Sequence, residues 1–159
     1  MEIDLALLAD AATVDASGKL NILGIFDRVH AHHLPAKHGR VSLVLRFSAS
    51  VRDAGSHRLR ITLTGPDARE ILSIDGEMHL GPGAHDPSGQ ILIPHVINLD
   101  GLVFERPGVY TFDVRVDGEH HVAIPLTVSV RWGVLPRPEP GSWGRRFGTP
   151  SEVVPVRLT

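Results

Sequence analysis

The sequence predicts an all-β chain folded as an antiparallel sandwich, and three observations carry that prediction. Apolar-rich segments of strand length recur along residues 1–131 of the 159. Clusters of Gly, Pro, Asp and Ser separate them, among them Asp15-Ala16-Ser17-Gly18, Gly65-Pro66-Asp67 and Gly81-Pro82-Gly83. No window of about 12 residues sets an apolar stripe of helical period between polar faces. Short strands at even spacing with turn signals between them are the pattern of a β-sandwich or barrel. A chain of this length suits one domain and buries enough surface to fold without disulfides.

Taken in order, the expected strands are Glu2–Ala9, Leu20–Asp27, Val41–Ser48, His57–Thr64, Glu70–His79, Gln90–Leu99, Val109–Val116 and Glu119–Arg131. In the first, Ile3, Leu5 and Leu7 alternate as a strand would, although Leu5–Ala12 also has the composition of a helix start; strand is the expectation. In Leu20–Asp27, one face is Leu20, Ile22, Gly24 and Phe26 and the other Asn21, Leu23, Ile25 and Asp27. Both faces are largely apolar, which predicts a central strand, covered on each side or at a subunit contact. Val41, Leu43, Leu45 and Phe47 alternate with Ser42, Val44, Arg46 and Ser48. Leu59, Ile61 and Leu63 alternate with Arg58, Arg60 and Thr62. Each such strand has one face on a core and one in water.

The last two strands form a hairpin whose apolar sets are Tyr110, Phe112, Val114 and Val116 against Val122, Ile124, Leu126, Val128 and Val130. A two-residue Asp117-Gly118 turn in plain register would pair Val114 with His121 and put those sets on opposite faces. A three-residue loop, Val116-Asp117-Gly118 with Gly118 left-handed, repairs this by pairing Phe112 with Val122 and Tyr110 with Ile124. Gly118→Val should then damage the turn, since a β-branched residue resists positive φ. Pro125 has no N–H for a ladder, so its strand is expected at an edge or bulged there. About seven to nine strands in this pattern predict an immunoglobulin-like antiparallel sandwich.

Composition narrows the function. With no cysteine, disulfide scaffolds, thiol catalysis and thiolate metal centres drop out. Sixteen basic and eighteen acidic residues give a net charge of −2, unlike the basic balance of a nucleic-acid binder. No apolar run reaches the roughly 20 residues of a membrane span, and Met1-Glu2-Ile3-Asp4 is acidic where a secretory leader is basic. A cytoplasmic protein that engages neither nucleic acid nor membrane is expected. Fourteen arginines stand against two lysines, Lys19 and Lys37, a bias read as genomic. Ten histidines make surface charge responsive to mild acid.

After Arg131 the composition shifts. Residues 132–159 hold five of the twelve prolines, four glycines and both tryptophans, with four basic and two acidic residues. The expected division is a sandwich domain over 1–131 and a Pro/Gly-rich tail over 132–159. Trp132, Trp143, Arg145, Arg146 and Phe147 are of the types enriched where interfaces carry their energy, which makes the tail a candidate docking element for a protein partner or for self-association. Folding back of both tryptophans onto their own domain is the other reading.

Catalytic patterns are missing. There is no Gly-x-Ser-x-Gly elbow, and Gly81-Pro82-Gly83 lacks the lysine and hydroxyl of a phosphate loop. Histidines are the one metal-ligating signal. If the preceding strand persisted, His30 and His32 would share a face at a spacing that suits zinc or a similar metal. His79, His85, His95, His120, His121 or Asp86 would have to complete the site, and no spacing fixes which.

One stretch also resembles a family. Ala6-Leu7-Leu8-Ala9-Asp10-Ala11-Ala12-Thr13-Val14 followed by Gly18-Lys19-Leu20-Asn21-Ile22-Leu23-Gly24-Ile25-Phe26-Asp27 resembles the opening of an uncharacterised bacterial family of small β-rich proteins. Val44-Leu45-Arg46-Phe47, Leu102-Val103-Phe104 and Pro107-Gly108-Val109-Tyr110-Thr111-Phe112-Asp113 extend the resemblance over about residues 3–130. It implies a shared fold of unknown role and transfers no catalytic residue. The functional expectation is therefore a non-enzymatic cytoplasmic interaction or structural module that docks a protein partner or a second copy of itself, with the tail and an edge strand as its docking elements. The alternative is a histidine-liganded metal protein or metal-dependent enzyme built on His30 and His32.

Overall fold

Alternation between apolar and polar side chains decides how each strand faces, and the computed structural model, which describes residues 1–81 and 89–131, follows it closely. The strands are β1 (Glu2–Val14), β2 (Leu20–Ile25), β3 (Arg28–Ala31), β4 (Ala36–Lys37), β5 (Arg40–Ser50), β6 (Gly55–Thr64), β7 (Glu70–Leu80), β8 (Gln90–Asp100), β9 (Val103–Phe104), β10 (Gly108–Val116) and β11 (Glu119–Val130). A 3₁₀ turn at Val51–Asp53 joins β5 to β6. All eight expected strands are present and the chain is all-β. The short β3, β4 and β9 were not foreseen. No helix among the described residues is long and apolar enough to cross a membrane.

Two main sheets form, in the orders β2-β1-β5-β8 and β3-β11-β10-β6-β7, with β4 and β9 making a small third pair. All pairings are antiparallel except β3 with β11. The core is the layer between the sheets. Leu8, Val41, Leu43, Leu45 and Phe47 of the four-stranded sheet meet Leu59, Ile61, Leu63, Phe112, Val114 and Leu126 of the five-stranded one. Each such side chain removed from water contributes roughly 1.5–3 kcal/mol. Tyr110 lies at the edge of this core and donates its hydroxyl to the Arg106 carbonyl at 2.8 Å, holding the corner before β10.

Three expectations need correction. The hairpin turn is the two-residue Asp117-Gly118, with φ of 53° and 88°, and Arg115 pairs with His120. The odd residue demanded by the apolar pattern is supplied further along, by a bulge at His121, after which Val114 pairs with Val122 and Phe112 with Ile124. The Asp117 carboxylate accepts the Arg58 N–H at 2.9 Å while the Asp117 N–H donates to the Arg58 carbonyl at 2.8 Å. These bonds compensate a left-handed conformation that a non-glycine residue resists. Gly118 is left-handed as expected.

The second correction concerns β2. It is an edge strand, and its apolar second face is open: Leu23 and Ile25 are 72% and 65% exposed. The third concerns the outward side of β5, where Ser42 and Val44 are fully buried rather than wetted. The edge placement expected of the Pro125 strand holds only locally: β11 lies between β3 and β10, and its bulge is at His121 rather than at Pro125. Thr127 and Arg131 direct their N–H groups to the Asp27 and Ala31 carbonyls, so by alternation the N–H that Pro125 lacks would face the same side, before the β3 pairing begins at Thr127.

Candidate functional site

Cross-strand register assembles an apolar surface on the outer side of the four-stranded sheet, away from the core. One row runs Leu7, Val44, Val96; the next runs Ile25, Ala9, Ser42, Asn98. Leu5, Arg46 and Pro94 bound these rows on one side, and Leu23 with Ala11 lies on the other. The two middle rows hold no charged residue. Their polar members satisfy each other, since Ser42 Oγ donates to Asn98 Oδ1 at 2.7 Å.

Two ion pairs flank these rows, and Glu2 stands beyond one of them in the row of Ser48 and Leu92. Arg46 grips Asp4 with Nε and Nη2, each at 2.9 Å from a carboxylate oxygen, and this holds the Asp4 carboxyl below its ordinary range. Arg40 does the same to Asp100 at 2.6 and 3.0 Å, again lowering the carboxyl. The open large apolar side chains on this side are Leu23, Ile25 and Leu92, while Ala9, Ser42 and Val44 between them are themselves buried.

The edge beside this surface is also unguarded. Leu20–Ile25 contains no proline and no charge, the devices that usually protect an edge from pairing. By contrast β8, the opposite edge, carries Pro94, and β7 carries Glu70, Asp75 and Glu77. Gly24 sits within β2 at a φ of 68°, a left-handed conformation that glycine adopts without strain, with its open side toward the Asp10 side chain.

The outer face of the five-stranded sheet has the opposite character. Arg60 pairs with Asp75 at 2.8 Å, and Asp113 takes Arg115 at 2.9 Å and His120 at 3.2 Å. Arg58, Arg60, Asp75, Glu77 and Arg115 line an open concavity of about 1040 Å³ there. Such exposed pairs contribute little to stability.

A third cluster ties one end of the sandwich together. His57 donates from Nδ1 to Asp117 and from Nε2 to the Asp53 carbonyl, both at 2.7 Å. Both partners only accept, so both ring nitrogens carry protons. Asp117, and after it the Asp53 carbonyl, raise the His57 pKa above 6.5. Asp53 in turn accepts the Ser50 N–H and hydroxyl, which with the Met1 amine hold its carboxyl well below the usual range. His95 is the converse, a half-buried imidazole against the Phe47 ring whose pKa burial pushes down.

Of the residues singled out from sequence, His30 lies on β3 with Nδ1 at 2.7 Å from Ser129 Oγ. β3 ends at Ala31, so His32 falls beyond the strand and the expected shared face is not built. Among the described residues no group of three or more His, Asp or Glu side chains is placed to hold a metal ion. Trp132, Trp143, Arg145, Arg146, Phe147, His85 and Asp86 lie outside the described residues. The outer-face residues Leu7, Ala9, Val44 and Val96 escaped sequence reasoning. Their signal was the missing alternation in Leu5–Ala12 and Ile91–Val96, where apolar residues occupy both parities.

No curated protein sequence matches the chain significantly. Among solved structures, the alkylpurine DNA glycosylase AlkC of Pseudomonas fluorescens, bound to DNA containing an abasic site analog, aligns with a TM-score of 0.41 at 9% identity. That alignment covers 80% of this chain and 30% of the glycosylase chain, a likeness too low to carry an argument about fold or function. The family described as "Family of unknown function (DUF6941)" matches residues 4–129. That span runs from the first strand of the sandwich to the last, and the chain belongs to this family.

Proposed function

We propose that the protein is a non-enzymatic interaction module of the cytoplasm that docks a protein partner on the outer face of its four-stranded sheet. The observation that carries this reading is the exposure of three large apolar side chains on that side of the sheet, Leu23, Ile25 and Leu92, at 72%, 65% and 53%. Large apolar side chains left exposed together on one side of a folded chain point to an interaction site. The net charge of −2 favours a protein over a nucleic acid as the partner.

An immunoglobulin-like arrangement is part of the proposal. Its supports are the five-strand order with the last strand beside β3 and β10, and the Tyr110 hydroxyl bonded back to its preceding corner.

A photo-crosslinking amino acid placed at position 23, and in a second variant at position 60, tests the docking face in living cells. Protein adducts are expected at 23 and not at 60. Equal adducts at both positions, or none at 23, would overturn the proposal.

A further inference from the structure

We propose that His57 is a proton-operated clasp: with both ring nitrogens protonated it ties the β10–β11 turn to the 3₁₀ turn, and with one proton gone it holds the first and releases the second. The two turns, Asp117-Gly118 and Val51–Asp53, are far apart in the chain, and the ring lies between them with 17% of its side chain exposed. Nδ1 meets the Asp117 carboxylate and Nε2 the Asp53 carbonyl, both at 2.7 Å. Neither acceptor has a proton to give, and a neutral imidazole carries one N–H. A neutral ring therefore makes one of these bonds and turns a lone pair toward the other oxygen.

Which bond survives follows from the acceptors. Asp117 is charged, and a charge-assisted hydrogen bond is about twice as strong as a neutral one. The remaining proton stays on Nδ1, so the Asp53 link is the one that opens. Asp117 keeps two further ties, accepting the Arg58 N–H at 2.9 Å and donating its own N–H to the Arg58 carbonyl at 2.8 Å. The 3₁₀ turn is held less firmly. Its closing bond, from the Ala54 N–H to the Val51 carbonyl, is 3.4 Å long, and none of its residues is buried. The Asp53 carboxylate stays with the Ser50 N–H and hydroxyl and the Met1 amine. Opening is thereby confined to the Asp53 carbonyl and the chain that follows it into β6.

The surroundings set the direction of the switch. Asp117 first, then the Asp53 carbonyl, raise the His57 pKa, which places the opening above pH 6.5. Arg58 and His121 bear on Asp117, the Met1 amine is paired with the Asp53 carboxylate, and Met78, opposite His57 on β7, is neutral. Glu77 and His79 flank Met78 and alternate to the other side of that strand. The chain released by opening leads directly into Ser56, which lines the outer concavity together with Arg58 and Asp117, so the proton is coupled to the lining of that concavity.

The test is nuclear magnetic resonance on the isotope-labelled full chain as pH is raised through the His57 titration. The expected result is that Nε2 loses its proton while Nδ1 keeps one. The Asp53 carbonyl carbon should move upfield in step, as a carbonyl does on losing a donor, while the Asp117 and Arg58 amides keep their protection from exchange. In Asp117→Asn the turn residue still tolerates the left-handed conformation but its charge is gone, so the same changes should move to lower pH. Loss of the proton from Nδ1, an Asp53 carbonyl that does not follow the titration, or a joint loss of protection at both turns would each overturn the clasp. So would an unchanged midpoint in Asp117→Asn.

Discussion

On the five-stranded sheet, β6 turns Arg58, Arg60 and Thr62 outward; on the four-stranded sheet, β5 turns Arg40, Ser42, Val44 and Arg46 outward. The inward residues of the two strands are alike, Leu59, Ile61 and Leu63 against Leu43, Leu45 and Phe47, and all belong to one core. Outward, the strands differ. Arg58 and Arg60 are exposed, whereas Ser42 and Val44 have 0% exposure even in the isolated chain. Alternation therefore marks which side of a strand meets the core, but it does not decide whether the other side meets water. That depends on the neighbouring strands, and Leu7, Ala9 and Val96 put apolar groups beside Val44.

The largest effect should come from charging the quiet side of that comparison. Val44→Asp places an unpaired carboxylate among Leu7 and Val96 and should cost about 3 kcal/mol or more by chemical denaturation. Its counterpart Thr62→Val, on the charged sheet, should change stability by less than about 1 kcal/mol. Comparable losses at the two positions would erase the distinction between the faces.

Next come the two histidines that look inward from different sheets. The raised pKa of His57 means that its contribution is fully present below its unfolded value near 6.5 and is lost as pH rises through the folded value. Asp117, lowered chiefly by His57, gives a contribution present above the unfolded carboxylate value and lost in strong acid. His57→Ala should thus cost about 1–2 kcal/mol near pH 6 and visibly less at pH 9. His95 has the opposite sign. Its lowered pKa favours the folded state above pH 6.5 and penalises it as pH falls below that value. His95→Leu should flatten the stability–pH slope between pH 6.5 and 5. A gap between wild type and His57→Ala that widens with rising pH would reverse the assignment.

Much of this fold was legible in the sequence, because core-facing positions repeat with the strand period and turns carry their own residues. The hairpin shows where that reading failed. The parity conflict between Val114 and His121 correctly demanded one extra residue, but the turn chemistry of Asp117-Gly118 and a bulge at His121 are separate choices, and only the backbone reveals where the residue goes. Leu23 and Ile25 failed differently. Apolar residues on both sides of β2 announced burial on two faces, which a central strand or a subunit contact would each satisfy. Strand order places β2 at an edge, and its second face is open in the chain by itself. The paired ends of the surface were not legible, since Asp4–Arg46 and Arg40–Asp100 are joined across strands by register alone.

The smallest perturbation gives the most direct test, because it changes no residue. Carbene footprinting of the untagged protein, read by mass spectrometry, labels exposed side chains in the protein as it exists in solution. In the isolated chain Leu23 and Ile25 are more exposed than Val109 and Ile71, at 72% and 65% against 51% and 45%. If the four-stranded face is covered by a partner, labelling at Leu23 and Ile25 should fall below that at Val109 and Ile71. Labelling that follows the isolated-chain order, with Leu23 highest, would mean that the face stands open to water and would contradict the account.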